Sequence, residues 1–341
     1  MEEPLSTFAQ KMIPAVEQEM RSVMLVNEKQ ANLFYGMMHY HLGWVDENLQ
    51  TVDAASGKRV RPLLCLLTTS AAGGKWPQAV PGATALELLH NFSLIHDDIQ
   101  DQSPTRRGRP TLWQLWGANQ AINSGDAMFS LAHIALSGML ELGVPAETIV
   151  RAVCRLDETC IDLTIGQYLD MSFENQRDVS VDEYLEMIAG KTAALLAFSA
   201  ELGARVAQQS PSVVKHYAAF GRDLGLAFQV RDDILGIWGD ESVIGKSSAT
   251  DIVTRKKSLP VLFGLAESLE LREIYANADT GDGFVERVVD ILDQVGARDV
   301  AKSYEGKFAT SALNHLSAAN PQGEATEALR QLTRFLLNRQ A

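Results

Sequence analysis

Cysteine is scarce: only Cys65, Cys154 and Cys160 occur in 341 residues. Three cannot all pair, and none stands in C-x-x-C spacing, which excludes a disulfide framework and fits a reducing compartment. Proline is sparse as well, 11 residues placed like helix punctuation, with none between Pro145 and Pro211. Positive charge is in deficit, with 30 Lys plus Arg against 43 Asp plus Glu, a formal net charge of −13. That balance argues against a dedicated nucleic-acid binder, which carries a basic field. The opening Met1-Glu2-Glu3-Pro4 is acidic, where a signal peptide has a basic region followed by an apolar one. No window offers the 18 or so apolar residues of a spanning helix. These absences predict a soluble, cytoplasmic protein with no membrane span and no nucleic-acid partner. Alternating β-branched strands with Asn-Gly turns are missing too.

What is present is helical. Hydrophobic residues make up 46% of the chain, enough for a sizeable core. They recur at helical spacing, as in Leu185, Ile188 and Leu195, in Leu224 and Phe228, or in Val230 and Ile234. The pattern predicts helices over roughly 5–42, 57–73, 80–101, 119–141, 146–173, 181–207, 211–238, 258–276, 283–318 and 323–340. With no Ser/Gly-rich linker, low-complexity run or obvious repeat, a single all-α domain over residues 1–341 is the simplest expectation.

Three clusters carry chemistry. The first is His96-Asp97-Asp98-Ile99-Gln100-Asp101, at the end of an apolar helix. Asp97 and Asp101 are four apart and share one face, so their repulsion must be offset. Mg²⁺ does so readily, since it is held by one or two carboxylates plus substrate phosphates; an acidic helix end left to solvent is the alternative. The second cluster, Arg106-Arg107-Gly108-Arg109, follows at once. Guanidinium forks suit phosphate, and a basic surface loop is the alternative. Upstream lie Gly57-Lys58-Arg59-Val60-Arg61-Pro62 and His90, two turns before Asp97. The third cluster is Phe228-Gln229-Val230-Arg231-Asp232-Asp233, followed by Gly245-Lys246, Asp251 and Arg255-Lys256-Lys257-Ser258-Leu259-Pro260. Midway, Lys191 interrupts an Ala/Leu helix; lysine is seldom buried unpaired, so it faces a polar cavity or snorkels to the surface. Gly190 beside it is expected to loosen the helix.

These elements resemble, in order, the landmarks of the polyprenyl synthase family, the trans-isoprenyl diphosphate synthases: G-K-R-x-R-P at 57–62, D-D-x-x-D at 97–101, R-R-G at 106–108, G-D at 125–126, G-Q-x-x-D at 166–170, G-K-T at 190–192, F-Q-x-x-D-D at 228–233, G-K at 245–246 and K-x-[TS]-L-P at 256–260. Each is weak alone; the ordered series, spanning 57–260, is specific. The resemblance implies an isoprenoid-synthase fold, a helical bundle around a deep central pocket, and a homodimer. It implies condensation of isopentenyl diphosphate with an allylic diphosphate (dimethylallyl, geranyl or farnesyl) and release of diphosphate. Three Mg²⁺ are expected per active site, with Mn²⁺ as substitute. Carried over by position, Lys58, Arg61, His90 and Arg107 bind isopentenyl diphosphate; Arg106, Lys191, Lys246 and Lys256 surround the allylic diphosphate. Asp97, Asp101 and Asp232 match the metal ligands, with Asp98 counted among the catalytic positions. Thr192 and Gln229 lie near the reacting carbons.

Three positions depart from the family pattern: Gly236 replaces the last Asp of the second Asp-rich motif, Ser258 replaces Thr, and Ser56 replaces the first Gly of G-G-K. Gly236→Asp is expected to change activity modestly. Product length is expected from α-helical floors below Asp97. Ser93, Leu89 and Leu86 lie four, eight and eleven residues before it, roughly 6, 12 and 16 Å away. Ser93 leaves the first floor open, the leucines narrow the tunnel, and Phe92, which the family associates with length control, acts from the flank. The resemblance is to the geranylgeranyl (C20) type, with farnesyl (C15) next and C25 further off. A class I terpene cyclase of the same fold would leave Lys58, Arg61 and Arg107 superfluous. A non-catalytic regulatory subunit usually loses an Asp-rich motif or the cationic site, and this chain retains the first motif and both basic groups.

Overall fold

Short local signals set where helices begin. The Ser180 side chain accepts a hydrogen bond from the Glu183 N–H, and Glu183 accepts one from the Ser180 N–H, a reciprocal cap. Pro81 and Pro260 occupy first helical turns, where a missing N–H costs nothing. The structure, a computed structural model, describes residues 3–25, 32–52, 54, 57–176, 178–239, 250–276 and 283–338. Its elements are α1 (Leu5–Leu25), α2 (Asn32–His41), α3 (Val60–Ala71), α4 (Val80–Gln100), the two-residue strands β1 (Thr105–Arg106) and β2 (Arg109–Pro110), α5 (Leu112–Trp116), α6 (Ala118–Ser137), α7 (Ala146–Asn175), α8 (Val181–Ile188), α9 (Ala194–Val206), α10 (Pro211–Trp238), α11 (Thr250–Val253), α12 (Leu259–Glu267), α13 (Leu269–Ala276), α14 (Phe284–Gln294), α15 (Ala297–Ala318) and α16 (Glu324–Leu337). The chain is all-α apart from the β1–β2 hairpin among the described residues.

Three predicted helices are divided. The stretch 5–42 holds α1 and α2. The stretch 258–276 parts at Ser268, whose backbone is extended (φ −121°, ψ 117°). The stretch 283–318 parts at Gly296, whose φ of 75° is the left-handed turn that separates α14 from α15. Ala189–Ala193, between α8 and α9, is a π turn, which agrees with the loosening expected beside Gly190. The continuous run Val181–Val206 is the one described helix with the length and hydropathy of a membrane span, and 83% of its apolar window is buried inside the protein.

The chain divides into two compact units. The first comprises Met1–Asp157, Ser199–Val214 and Pro321–Leu329. Its main packing is α4 against α6, and Leu64, Leu66, Leu86, Leu89, Met128 and Leu202 have no exposed surface. The second comprises Glu158–Phe198, Lys215–Asn320 and Arg330–Ala341. One of its cores gathers Tyr184, Ile188, Val230, Ile234, Leu259 and Leu262; another gathers Ile237, Ile252, Val261, Leu271 and Val288.

Candidate active site

In the first unit, the carboxylates of the first Asp-rich cluster sit in the last turn of α4, at the negative end of the helix dipole, where anions are least welcome. Arg106 offsets them: its Nε donates to Asp98 Oδ1 at 2.8 Å and its Nη2 to Asp97 Oδ2 at 3.1 Å. The Asp98 side chain is 2% exposed, and burial pushes its pKa up to about 6 against the pull of Arg106. Asp97 and Asp101, one turn apart, stay nearer solvent.

The hairpin that delivers the arginines is tight. Arg107 (φ 54°) and Gly108 (φ 75°) both lie in the left-handed region, as a two-residue hairpin turn requires. Arg109 anchors it by donating to the carbonyls of Tyr40 and Val45 and stacking over the Tyr40 ring. Gly57 makes room for Arg107: a Cβ there would come within 2.9 Å of Arg107 Nη2. The G-K-R and R-R-G motifs are thus in mutual contact.

Beside them, Arg61 Nη1 lies 3.1 Å from His90 Nε2. Guanidinium can only donate, so Nε2 accepts and the proton of a neutral His90 sits on Nδ1. Burial, then Arg61 and Arg107, hold the His90 pKa well below its ordinary value. The same is true of His41, at the end of α2, through burial and then Arg107, Arg106 and Arg59. His41, Asp98, Arg106 and Arg107 line a common cleft. Three buried nitrogens here, His41 Nε2, Arg61 Nε and Arg107 Nη1, have no hydrogen-bond partner among the described residues. Arg59 is different. It turns inward (φ 47°) and pairs with Glu87 at 2.7 Å and Glu17 at 2.6 Å, while Asn91 also donates to Glu87. Lys58 is exposed on the approach to α3.

Of the predicted length-setting residues, Leu86 and Leu89 are fully buried, and Ser93 Oγ donates to the His90 carbonyl. Phe92 packs on His96 and on Phe129 of α6, with centroids 4.8 and 5.4 Å away.

The second unit is organised by a backbone crossing. A Cβ on Gly166 would lie 2.1 Å from Lys191 N, and one on Gly190 2.5 Å from the Asp162 carbonyl, so only glycines let α7 and the π turn touch there. That crossing explains two of the motif glycines and brings Lys191 Nζ onto Asp170. Thr192 donates to Gln229 Oε1 at 2.8 Å, and Gln229 Nε2 donates to Asp233 Oδ1 at 3.2 Å. Asp233 Oδ2 accepts from the Tyr184 hydroxyl and from Leu259 N. Burial pushes the Asp233 carboxyl up, and Lys256 pulls it down. Burial alone would lower Lys256, but Asp233, Asp251, Asp170 and Asp232 raise it above the lysine range, so it stays charged. Asp232, unlike the buried Asp233, is partly exposed.

Gly236 is not an empty position. A Cβ there would meet Asp251 Oδ2 at 2.6 Å: the Asp251 carboxylate occupies the space into which the missing aspartate would project. Lys246 lies outside the described residues. The sequence motifs do not mark His41, Asn91, Phe129 or Tyr184. None belongs to a charged cluster, and only proximity in the fold singles them out.

An all-α chain with paired aspartates towards the C-terminal ends of α4 and α10, and arginines and lysines set against them, has the groups that an enzyme handling diphosphates needs. Residues 43–292 match the family model described as polyprenyl synthetase, and the chain belongs to that family. It is 40% identical over 309 residues to a geranylgeranyl diphosphate synthase of Mycobacterium tuberculosis, covering 89% of this chain and 86% of that protein. It is 37% identical over 313 residues to a (2E,6E)-farnesyl diphosphate synthase of the same species, with the same coverage. Among solved structures, a polyprenyl synthetase from Streptomyces coelicolor A3(2) superposes with a TM-score of 0.89 at 34% identity, covering 98% of this chain and 99% of that one.

Proposed function

We propose that the protein is a Mg²⁺-dependent trans-prenyltransferase that joins isopentenyl diphosphate to an allylic diphosphate, with geranylgeranyl diphosphate as its main product and farnesyl diphosphate as the alternative. The observation that carries this reading is the pair of buried, unpartnered guanidinium donors, Arg61 Nε and Arg107 Nη1. A buried donor without a partner costs about 1–3 kcal/mol, and an anionic headgroup would satisfy both. With Lys58 and the Nδ1–H of His90, they would bind the diphosphate of isopentenyl diphosphate.

The carboxylate donors fit Mg²⁺. They are hard oxygens, and among the described residues no three His, Cys, Asp or Glu side chains form a ready-made cage. A metal resting on one or two carboxylates and completed by substrate phosphates matches that set. Asp97, Asp101 and Asp232 would hold the three ions expected. When bound, Mg²⁺ supplies charge that stabilises the leaving diphosphate.

Arg106, Lys191, Lys246 and Lys256 balance the remaining phosphate charge. Lys191 and Lys256 are held ready by Asp170 and Asp233. As the allylic C–O bond breaks, its electron pair leaves with diphosphate. The double bond of isopentenyl diphosphate attacks the allylic carbon, and one proton is lost from the resulting cation, to the departed diphosphate. Thr192 and Gln229 face the positive carbon. Ser93 leaves room for a growing chain, Leu86 and Leu89 close it off, and Phe92 acts from the flank.

We place the enzyme in the cytoplasm as a single-domain homodimer. An exposed apolar stripe along α7 (Val150, Ile161, Ile165 and Tyr168, each more than half exposed) supports the dimer. Asp97→Ala tests the proposal. Turnover should fall by orders of magnitude, since metal charge stabilisation is worth several kcal/mol, and EDTA should abolish wild-type activity. Full activity in EDTA would refute it.

A further inference from the structure

The hydrogen bonds around Asp233 run in one direction. Asp233 is 1% exposed, whereas its neighbour Asp232 on α10 reaches solvent. The Leu259 N–H, a donor whose direction the backbone fixes, points at Oδ2 from 3.1 Å, and the Tyr184 hydroxyl donates to the same oxygen. Lys256 adds a positive charge nearby. Oδ1 is left to Gln229, whose Nε2 donates to it at 3.2 Å. An amide has distinct ends: with its NH₂ on a carboxylate that only accepts, its oxygen must face the other way. There it accepts from Thr192 Oγ1 at 2.8 Å. A hydroxyl has one proton and two lone pairs. Once the Thr192 proton is committed to Gln229, only lone pairs remain to face the substrate.

We propose that Asp233 is a positioning residue that, by fixing the orientation of the Gln229 amide, makes Thr192 present its oxygen lone pairs to the allylic carbon as positive charge develops there. The inference rests on the prenyltransferase reading, and divides the adjacent aspartates of the second motif between two tasks. Asp232 serves the metal. Asp233 aligns a chain of dipoles whose negative end is aimed at the cation before it forms, so no reorientation is required during ionisation.

Asp233→Asn tests this with little change in volume. The amide oxygen at 233 would keep the Leu259 and Tyr184 donors, so its NH₂ would face Gln229. Gln229 must then turn its oxygen inward and its NH₂ toward Thr192, and the Thr192 proton would point outward at the cation. The expected result is a fall in kcat of about tenfold to a hundredfold, with KM for isopentenyl diphosphate changed less than about twofold. The decisive readout is a double-mutant cycle with Thr192→Val. In that background Asp233→Asn should cost less than about threefold more, because the group through which it acts is gone. Equal losses in the two backgrounds, or a raised KM with kcat intact, would overturn the proposal. Should Asp233→Asn not fold, as judged by its thermal melt, Gln229→Met replaces it. That change keeps the Tyr184 and Leu259 donors on Asp233, removes the Gln229 amide that links it to Thr192, and should give the same non-additive cycle; additivity there would equally overturn the inference. If the wild-type enzyme elongates no allylic primer, the functional reading itself has failed. If wild type is active and the cycle is additive, only the role of Asp233 is wrong.

Discussion

Arg59→Met isolates the buried ion pair beneath the cationic cleft. Arg59 and Glu87 have 2% and 3% of their side chains exposed, and lie 2.7 Å apart. Methionine fills much of the arginine stem's volume but leaves the Glu87 carboxylate buried, with the Asn91 NH₂ as its one remaining side-chain donor among the described residues and the charges of Arg61 and Arg107 further off. Removing one partner of a buried pair costs about 3–5 kcal/mol, because the other charge is left uncompensated. Glu17 adds little, since it is 23% exposed and can regain water. The whole loss therefore comes from Glu87, and is a large share of a typical stability of about 5–15 kcal/mol. Urea unfolding followed by circular dichroism measures it. Arg59→Met/Glu87→Met, which removes both charges, should recover most of the loss, whereas Glu17→Gln alone should cost less than about 1 kcal/mol. A single variant that loses less than about 1 kcal/mol, or a double variant no more stable than Arg59→Met, would show that the Glu87 charge does not depend on Arg59.

Gly236→Asp should destabilise by about 1–3 kcal/mol through overpacking, because its Cβ meets the Asp251 carboxylate at 2.6 Å. A lowered melting temperature, largely restored by adding Asp251→Gly, is expected; an unchanged melt would contradict the placement of Asp251. Burial and neighbouring arginines depress the pKa of both His41 and His90, so the native protein keeps them neutral while the unfolded chain protonates them below about pH 6.5. Stability should thus fall as pH drops through that value, with a limiting slope of about 1.4 kcal/mol per pH unit for each histidine. Urea midpoints between pH 7.5 and 5 should show the fall and His90→Gln should reduce it; parallel curves would contradict the assignment. Ser93→Phe should shorten the product, read by mass spectrometry, and an unchanged product distribution would show that Ser93 lines no part of the chain's path.

The charged residues proposed to handle phosphate stand out in the sequence because each cluster is local: Asp97 to Asp101 lie within one helical turn, and Arg106 follows five residues later. The helices were legible from their apolar period, but their breaks were not. Gly296 sits in a stretch whose flanking residues keep helical spacing, and only its φ of 75° reveals the turn. The 105–110 hairpin is too short for strand alternation to register. Charge alone does not say which way a side chain turns. Arg59 stands between Lys58 and Arg61 yet points into the core, because Glu17 and Glu87, distant in sequence, meet it there. Tyr184 gave no sequence signal, since an aromatic on an apolar helix face reads as core until its hydroxyl is seen on Asp233. Gly236 read as a lost aspartate, and only the fold brings Asp251 into the vacated space.

Prenyl-chain elongation is read in one incubation: purified protein, Mg²⁺ and isopentenyl diphosphate with dimethylallyl, geranyl or farnesyl diphosphate in turn, products read by mass spectrometry. Chain elongation is expected with each primer, ending mainly at geranylgeranyl diphosphate, and none in EDTA. Cyclic hydrocarbon from a single prenyl diphosphate without isopentenyl diphosphate, or no elongation of any primer, would contradict it.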